Sequence, residues 1–263
     1  MGSSSLFINL YKGCEARTKK IIMANQLIIE NEPVFIIHQR PYSETSQILN
    51  LFSKNYGRVD VIAKGSKRPK SKFRSFMQPF MPLNASWSGR SQLKTLRNIE
   101  AFEQHQSLIE ADHFLSALYM NELILNFLSN ADPYPNLFDI YHEALKQFNF
   151  SEEHEPLLRI FEIRLLEEIG YAINFQTEAL NPKEIESHQY YRYEPEQGFH
   201  LLSKDSQIKK YSGKQIKSIE KMDFSESDTL LAAKKLTRET IQFHLDGKEL
   251  MTKKMYKSIK RDI

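Results

Sequence analysis

The chain has 263 residues, more than one minimal domain needs and enough for two modest domains with separate cores. Hydrophobic residues make up 41% and charged residues 26%, the profile of a soluble globular protein, at a net charge of only +3. A single cysteine, Cys14, excludes a disulfide framework and a cysteine zinc site and fits a reducing compartment; no apolar run approaches the roughly 18 to 20 residues of a membrane helix.

Near the N-terminus, Asn25 and Gln26 interrupt the short apolar stretch IIMANQLII, and no small-residue cleavage pattern follows, so a signal peptide is rejected. Residues 1–32 are expected to be a poorly ordered extension, with Met23 an alternative start and Cys14 idle. From Pro33 short apolar runs alternate with turn signals. Residues 34–38 and 47–53 read as strands, and Lys54-Asn55-Tyr56-Gly57 as a turn whose Asn and Gly tolerate positive φ. Residues 58–64 alternate Val59, Val61 and Ala63 against Arg58, Asp60 and Ile62, a half-buried strand. Residues 80–87 and 92–102 flank Ser88-Gly89-Arg90-Ser91, a hairpin signature. Five such strands, with a long connection between the third and fourth, predict an OB-fold β-barrel over 33–105, with an SH3-like barrel as the alternative. The fold class is α+β, because the periodicity then becomes helical.

Residues 112–129 are apolar nearly all round, the pattern of a buried hub helix. Asp132-Pro133-Tyr134-Pro135 breaks it before a second helix to about Phe148, and a third runs from Glu155 towards Gly170. A small mixed insertion near 176–210 contains a hairpin turned at Glu196-Gln197-Gly198, and helices follow near 213–221, 226–245 and 251–261. Residues 106–263 are thus expected to be a helical C-terminal domain.

Between Lys54 and Arg97 eleven lysines and arginines face one acid, Asp60, a net of +10 that leaves −7 for the rest of the chain. Such a field attracts a polyanion, and nucleic acid is the polyanion whose released counterions make binding strong and salt-dependent. The loop Lys67-Arg68-Pro69-Lys70-Ser71-Lys72-Phe73-Arg74 offers mobile point charges and two guanidinium forks for phosphate. Arg58, Lys64, Arg90 and Lys94 complete the candidate DNA-binding set. Phe73, Phe76 and Trp87 are candidates for base stacking, with a place in the barrel core as the alternative for Phe76 and Trp87. The stretch from Lys234 to Arg261, nine cations against three acids, reads mainly as a solvated helix face.

No G-x-G-x-x-G, P-loop, H-E-x-x-H or G-x-S-x-G occurs, and the eight histidines lack close ligand spacing. No motif calls for a cofactor or metal, and nothing argues for an enzyme. Glu122, on a very apolar helix, needs a partner; a structural role outweighs a hydrolytic one.

The segments HQRPYSETSQILNLFSKNYGRVDVIAKGSKRPKS (38–71), QPFMPLNASWSGRSQLKTL (78–96), ALYMNELIL (117–125) and LLRIFEIRLLEEIGYAINF (157–175) resemble the RecO family of DNA repair and recombination mediators. Its most specific pieces are R-P-Y-S-E-T-S, G-R-V-x-x-x-A-K-G, W-S-G-R and Y-x-N-E-L, and the tail LLAAKKLTRETIQFHLDGKEL (230–250) agrees. The resemblance implies an N-terminal OB-fold, a helical C-terminal domain, binding of single- and double-stranded DNA, and strand annealing. It also implies cooperation with RecR, and in some organisms RecF, in loading RecA on DNA coated by single-strand binding protein. Many members carry four zinc-binding cysteines after the G-Y-x-x-N-F segment; Ala172 to Leu202 has none, which resembles the zinc-free branch. By motif position, Lys64, Lys67, Arg68, Lys70, Arg90 and Lys94 correspond to basic DNA-facing residues, while Lys72 and Arg74 rest on charge alone. Arg159 corresponds to an arginine that helps hold the acidic C-terminal tail of single-strand binding protein, and pairing with Glu155 or Glu162 on its own helix is the alternative. A cytoplasmic location with the bacterial nucleoid, and no membrane partner, goes with this reading. The competing function is a basic scaffold that meets RNA or an acidic protein.

Overall fold

The computed structural model describes residues 19–23, 26–102, 111–148, 154–203 and 211–259. The described chain forms two compact units, one of 19–148 with 250–259, the other of 154–249. The expected disorder of residues 1–18, and Cys14 with them, lies outside the described residues.

In the first unit β1 (Lys19–Met23) and β2 (Gln26–Pro41) form a hairpin. They are followed by β3 (Gln47–Ser53), β4 (Gly57–Ala63), β5 (Leu83–Ser88) and β6 (Leu93–Ala101). The pairing β2-β3-β4-β6-β5 returns from β5 to β2, so five strands close on themselves. The β4–β6 pair is parallel and the other barrel pairs are antiparallel, the OB-fold arrangement rather than an SH3-like one. Alternation explains the lining: Val59, Val61 and Ala63 of β4 point inward with Leu49, Leu51, Ala85, Leu96 and Ile99.

The barrel begins earlier than the sequence led us to expect. Residues 26–32 are not part of a loose extension but the first half of β2, which pairs with β5 there and with β3 beyond Val34. Asn31 breaks the alternation at a bulge, in the left-handed region at φ 54, with its amide donating to Ser86 Oγ at 3.1 Å. Glu32 is fully buried and accepts hydrogen bonds from Ser53 Oγ and the Asn55 amide, both at 2.7 Å, so it anchors the β3–β4 turn. A buried carboxylate so satisfied is a structural post.

Helices α1 (Ala111–Phe127) and α2 (Pro135–Gln147) belong to the same unit as the barrel. Phe138 and Tyr141 of α2 meet Phe35 and Phe52 on the outer face of β2 and β3, with ring centroids 4.9–5.9 Å apart. Lys54 ties the β3–β4 turn to Asp139 at 2.7 Å. Gly57 has φ 63, and a Cβ there would lie 1.8 Å from the Asp132 carbonyl oxygen, so only glycine lets this turn meet the α1–α2 connection.

The second unit starts with α3 (Glu155–Glu168) and continues with β7 (Tyr190–Glu194), β8 (Gly198–Leu201) and β9 (Tyr211–Ser212), an antiparallel sheet in the order β8-β7-β9. Helix α4 (Gly213–Glu220) opens with a capping box in which Ser212 Oγ accepts from the Gln215 amide and Gln215 Oε1 accepts from the Ser212 amide. Helix α5 (Ser227–His244) completes the unit. Tyr191, Phe199, Ile216, Leu236 and Phe161 are buried in it. The last helix, α6 (Met251–Ile259), returns to the first unit. Among the described residues no helix is long and apolar enough to cross a membrane.

Candidate nucleic-acid interface

The interface is built where β4 ends. Ala63 is the last paired residue, opposite Gln47 of β3, and the chain then leaves the barrel for the nineteen residues before β5. Short turns organise the loop, with Arg68 N donating to the Gly65 carbonyl, Ser71 N to that of Arg68 and Arg74 N to that of Ser71. A 3-10 turn follows at Arg74–Phe76. The loop is nailed down by Phe73, only 7% exposed and part of the barrel core. Lysines and arginines between these anchors therefore project from a fixed frame.

A second set of bonds joins this loop to the β2–β3 turn. Lys67 donates its amide to the Thr45 carbonyl at 3.0 Å and its ammonium to the Ser43 carbonyl at 3.1 Å. Gly65 N donates to Ser46 Oγ at 3.4 Å, and Ser66 Oγ to Gln47 Oε1 at 3.1 Å. The segments R-P-Y-S-E-T-S and A-K-G, distant in sequence, are two sides of one clamp. On the β6 side, Lys72 reaches the Arg97 carbonyl at 3.3 Å. The β4–β6 pair is parallel, with Leu93 beside Asp60 and Thr95 beside Ile62, so β6 runs with β4 towards the loop exit, and the β5–β6 turn that carries Arg90 lies towards the start of β4, away from Ala63.

The sequence-predicted cations fall into three groups. Lys64, Arg68, Lys70, Arg74 and Arg90 are exposed, and no hydrogen bond or ion pair to their side chains is found among the described residues. Lys67, Lys72 and Lys94 each donate to backbone carbonyls, Lys94 to Ser91 at 2.6 Å, yet none is paired with a carboxylate among the described residues. An ammonium has three donors, so these lysines hold the frame and still present charge. Arg58 is different: it is half-buried and engaged within the fold. Its Nε donates to Asn130 Oδ1 at 2.7 Å and its Nη1 to the Leu125 carbonyl at the end of α1. A guanidinium at a helix C-terminus satisfies carbonyls that have no partner in the helix.

Arg159, the candidate for tail binding, is engaged on its own helix. It is 1% exposed, pairs with Glu162 at 2.8 Å and lies 3.5 Å from Glu155. The structure thus shows the intrahelical pair, with the guanidinium closed off from solvent. Glu122 is likewise structural: it accepts from the Met251 and Thr252 amides and from Thr252 Oγ1. Trp87, at 3% exposure, and Phe73 line the barrel core and leave the stacking set; Phe76 is half-buried against the same core.

Two features escaped sequence reasoning. Arg40 is exposed at the end of β2, opposite Ile48 of β3, adding a cation at this end of the barrel. It precedes the counted stretch by fourteen residues, and only the β2–β3 pairing brings it to this end. Asp60 accepts from Asn50 Nδ2 at 2.6 Å, and Asn50 Oδ1 meets His38 Nδ1 at 3.0 Å, so the stretch's one acid sits in a polar ladder across three strands. That cross-strand alignment depends on register and has no local signature. Among the described residues no three of His, Cys, Asp and Glu converge as a metal-binding group.

Charges held out in solvent on a rigid frame can neutralise phosphates with little loss of hydration at rest. Comparison with known proteins identifies the family. Residues 27–105 match the family described as "Recombination protein O N terminal", and residues 110–254 match "Recombination protein O C terminal". The chain is similar to the "DNA repair protein RecO" of Tolumonas auensis, 38% identical over 85% of this chain and 93% of the relative. It is similar to that of Polynucleobacter necessarius at 38% over 89% of this chain and 98% of the relative, and to that of Aliivibrio fischeri at 35% over 84% and 93%. A five-stranded barrel, a helical C-terminal region and matches over nearly the whole described chain lead to one statement: this protein belongs to the RecO family of DNA repair and recombination proteins.

Proposed function

We propose that this protein is a non-enzymatic recombination mediator. It binds single- and double-stranded DNA at the cationic end of its barrel, anneals complementary strands, and with RecR helps load RecA on DNA coated by single-strand binding protein. The observation that supports this most is that the loop cations are exposed and have no carboxylate partner among the described residues, although the same region contains Asp60 and the turn contains Glu44. Two single strands repel through their phosphates. A shared cationic surface lowers that repulsion, so a few base pairs can nucleate and the duplex then closes on its own. No bond is made or broken. RecR and the tail of single-strand binding protein are partners on the ground of family membership, with no residue of this chain assigned to the tail. The protein acts in the cytoplasm at the bacterial nucleoid.

The test is annealing of complementary oligonucleotides without nucleotide or metal. Arg68→Glu, Lys70→Glu and Arg74→Glu together are expected to abolish annealing and leave the thermal melt unchanged, because no hydrogen bond or ion pair to these side chains is found among the described residues. Annealing that survives the triple change overturns the role given to the loop. Tighter binding of structured RNA or an acidic peptide than of single-stranded DNA across a salt series supports the scaffold reading instead, and capture of RecR tests the partner.

A further inference from the structure

We infer that Tyr42 is the platform on which the barrel stacks an unpaired nucleobase. The inference deepens the DNA-binding reading and rests on it. Single-stranded nucleic acid is held by two kinds of contact, cations for the backbone and flat rings for the bases. The cations are present, but Phe73 and Trp87 face inward, and Tyr56 packs edge-on against Trp87 with centroids 5.7 Å apart. Tyr42 stands apart from them at 58% exposure, the most exposed aromatic among the described residues. No hydrogen bond or ring partner engages its side chain among the described residues.

Its position is fixed even though its ring is open. Pro41, paired with Gln47, ends β2 immediately before it. The Tyr42 amide donates to the Ser46 carbonyl at 3.1 Å, and the Lys67 clamp holds the carbonyls of Ser43 and Thr45. An exposed ring on an anchored turn loses little freedom when a base covers it. Cations flank Tyr42 along the chain and across the clamp: Lys67 is bonded to the residue after Tyr42, Arg68 and Lys70 follow in the same loop, and Arg40 lies two residues before it. A strand whose phosphates lie on these cations presents its bases within reach of the ring. Duplex DNA keeps its bases stacked on each other, so it gains nothing from Tyr42.

The experiment compares binding of a single-stranded oligonucleotide, an abasic strand of the same length and a duplex to the full chain and to Tyr42→Ala and Tyr42→Phe. Tyr42→Ala is expected to weaken the single strand by about 5- to 150-fold, the range for one base–aromatic stack. It is expected to leave the abasic strand and the duplex within about twofold of wild type, and Tyr42→Phe to retain single-strand binding. Equal losses on all three ligands, or no loss on the single strand, overturn the assignment while leaving the DNA reading intact. Wild-type protein that binds none of the three overturns the DNA reading and this assignment with it.

Discussion

Arg159 and Glu162 lie one helical turn apart, 2.8 Å from each other, and both are closed off from solvent. Thr237 of α5 donates to the second oxygen of Glu162, so the pair also joins α3 to α5. Removing one charge from such a pair leaves the other desolvated, at a cost of about 3–5 kcal/mol. Arg159→Ala is therefore expected to lower the denaturation midpoint of the second unit. Arg159→Met with Glu162→Leu should recover most of that loss, since two apolar chains leave no buried charge. The double variant is also the proper probe of tail binding: if it melts normally yet no longer binds the tail of single-strand binding protein, the structural role given to Arg159 is wrong.

Glu155 is the open end of the same network. It receives Lys234 and faces Arg159. Burial alone would raise its carboxyl, but the hydrogen bond from Lys234 and the charges of Arg159, Lys234 and Arg238 outweigh burial and hold it below its ordinary 4.5. A folded value below the unfolded one means that the unfolded chain takes up the proton first as the pH falls. The stabilisation is complete above the unfolded value and is lost as the pH drops through the folded one. Lys234→Met should thus be less stable than wild type at neutral pH, and the gap should narrow below about pH 5. Denaturant titrations at several pH values check this; a gap that widens in acid contradicts it.

Glu122 caps a helix 129 residues away in sequence, at 2.6 Å from the Met251 amide and 2.9 Å from that of Thr252. A carboxylate at a helix N-terminus satisfies free amides and complements the dipole. Glu122→Ala should cost about 0.5–2 kcal/mol at that helix end. Hydrogen exchange should report it as faster exchange over 251–259 with the barrel strands unchanged. Unaltered exchange there would mean that α6 is held by something else.

Much of the fold was legible because its signals are local. The alternation of Val59, Val61 and Ala63 placed β4 correctly, and the turns around Asn55 and Gly89 marked the hairpins. The first half of β2 was missed because the bulge at Asn31 and the buried Glu32 break that alternation, and a buried carboxylate looks like a solvated one in sequence. The return of α6 was invisible for a related reason: the Glu122–Thr252 contact spans half the chain. Within the candidate site, the exposure of the loop cations was readable because solvated charges need no partner. Aromatics were not: Trp87 and Tyr42 carry the same local signature, and only the packing shows one inside and the other outside.

Arg58 and Lys70 belong to one cationic stretch, yet they should behave oppositely. Lys70 is exposed and makes no bond within the described structure, so its charge is available to displace counterions. Lys70→Ala is expected to reduce the slope of log affinity against log salt by about 0.7 on a single strand and to leave the melting temperature unchanged. Arg58 holds the Leu125 carbonyl and Asn130. Arg58→Ala is expected to leave the salt slope alone and to cost about 1.5–3 kcal/mol of stability, the range for hydrogen bonds to a charged group. Measuring slope and stability on both variants separates a phosphate contact from a helix anchor. A slope that falls equally in the two returns Arg58 to the DNA surface; a melt that falls in Lys70→Ala removes Lys70 from it.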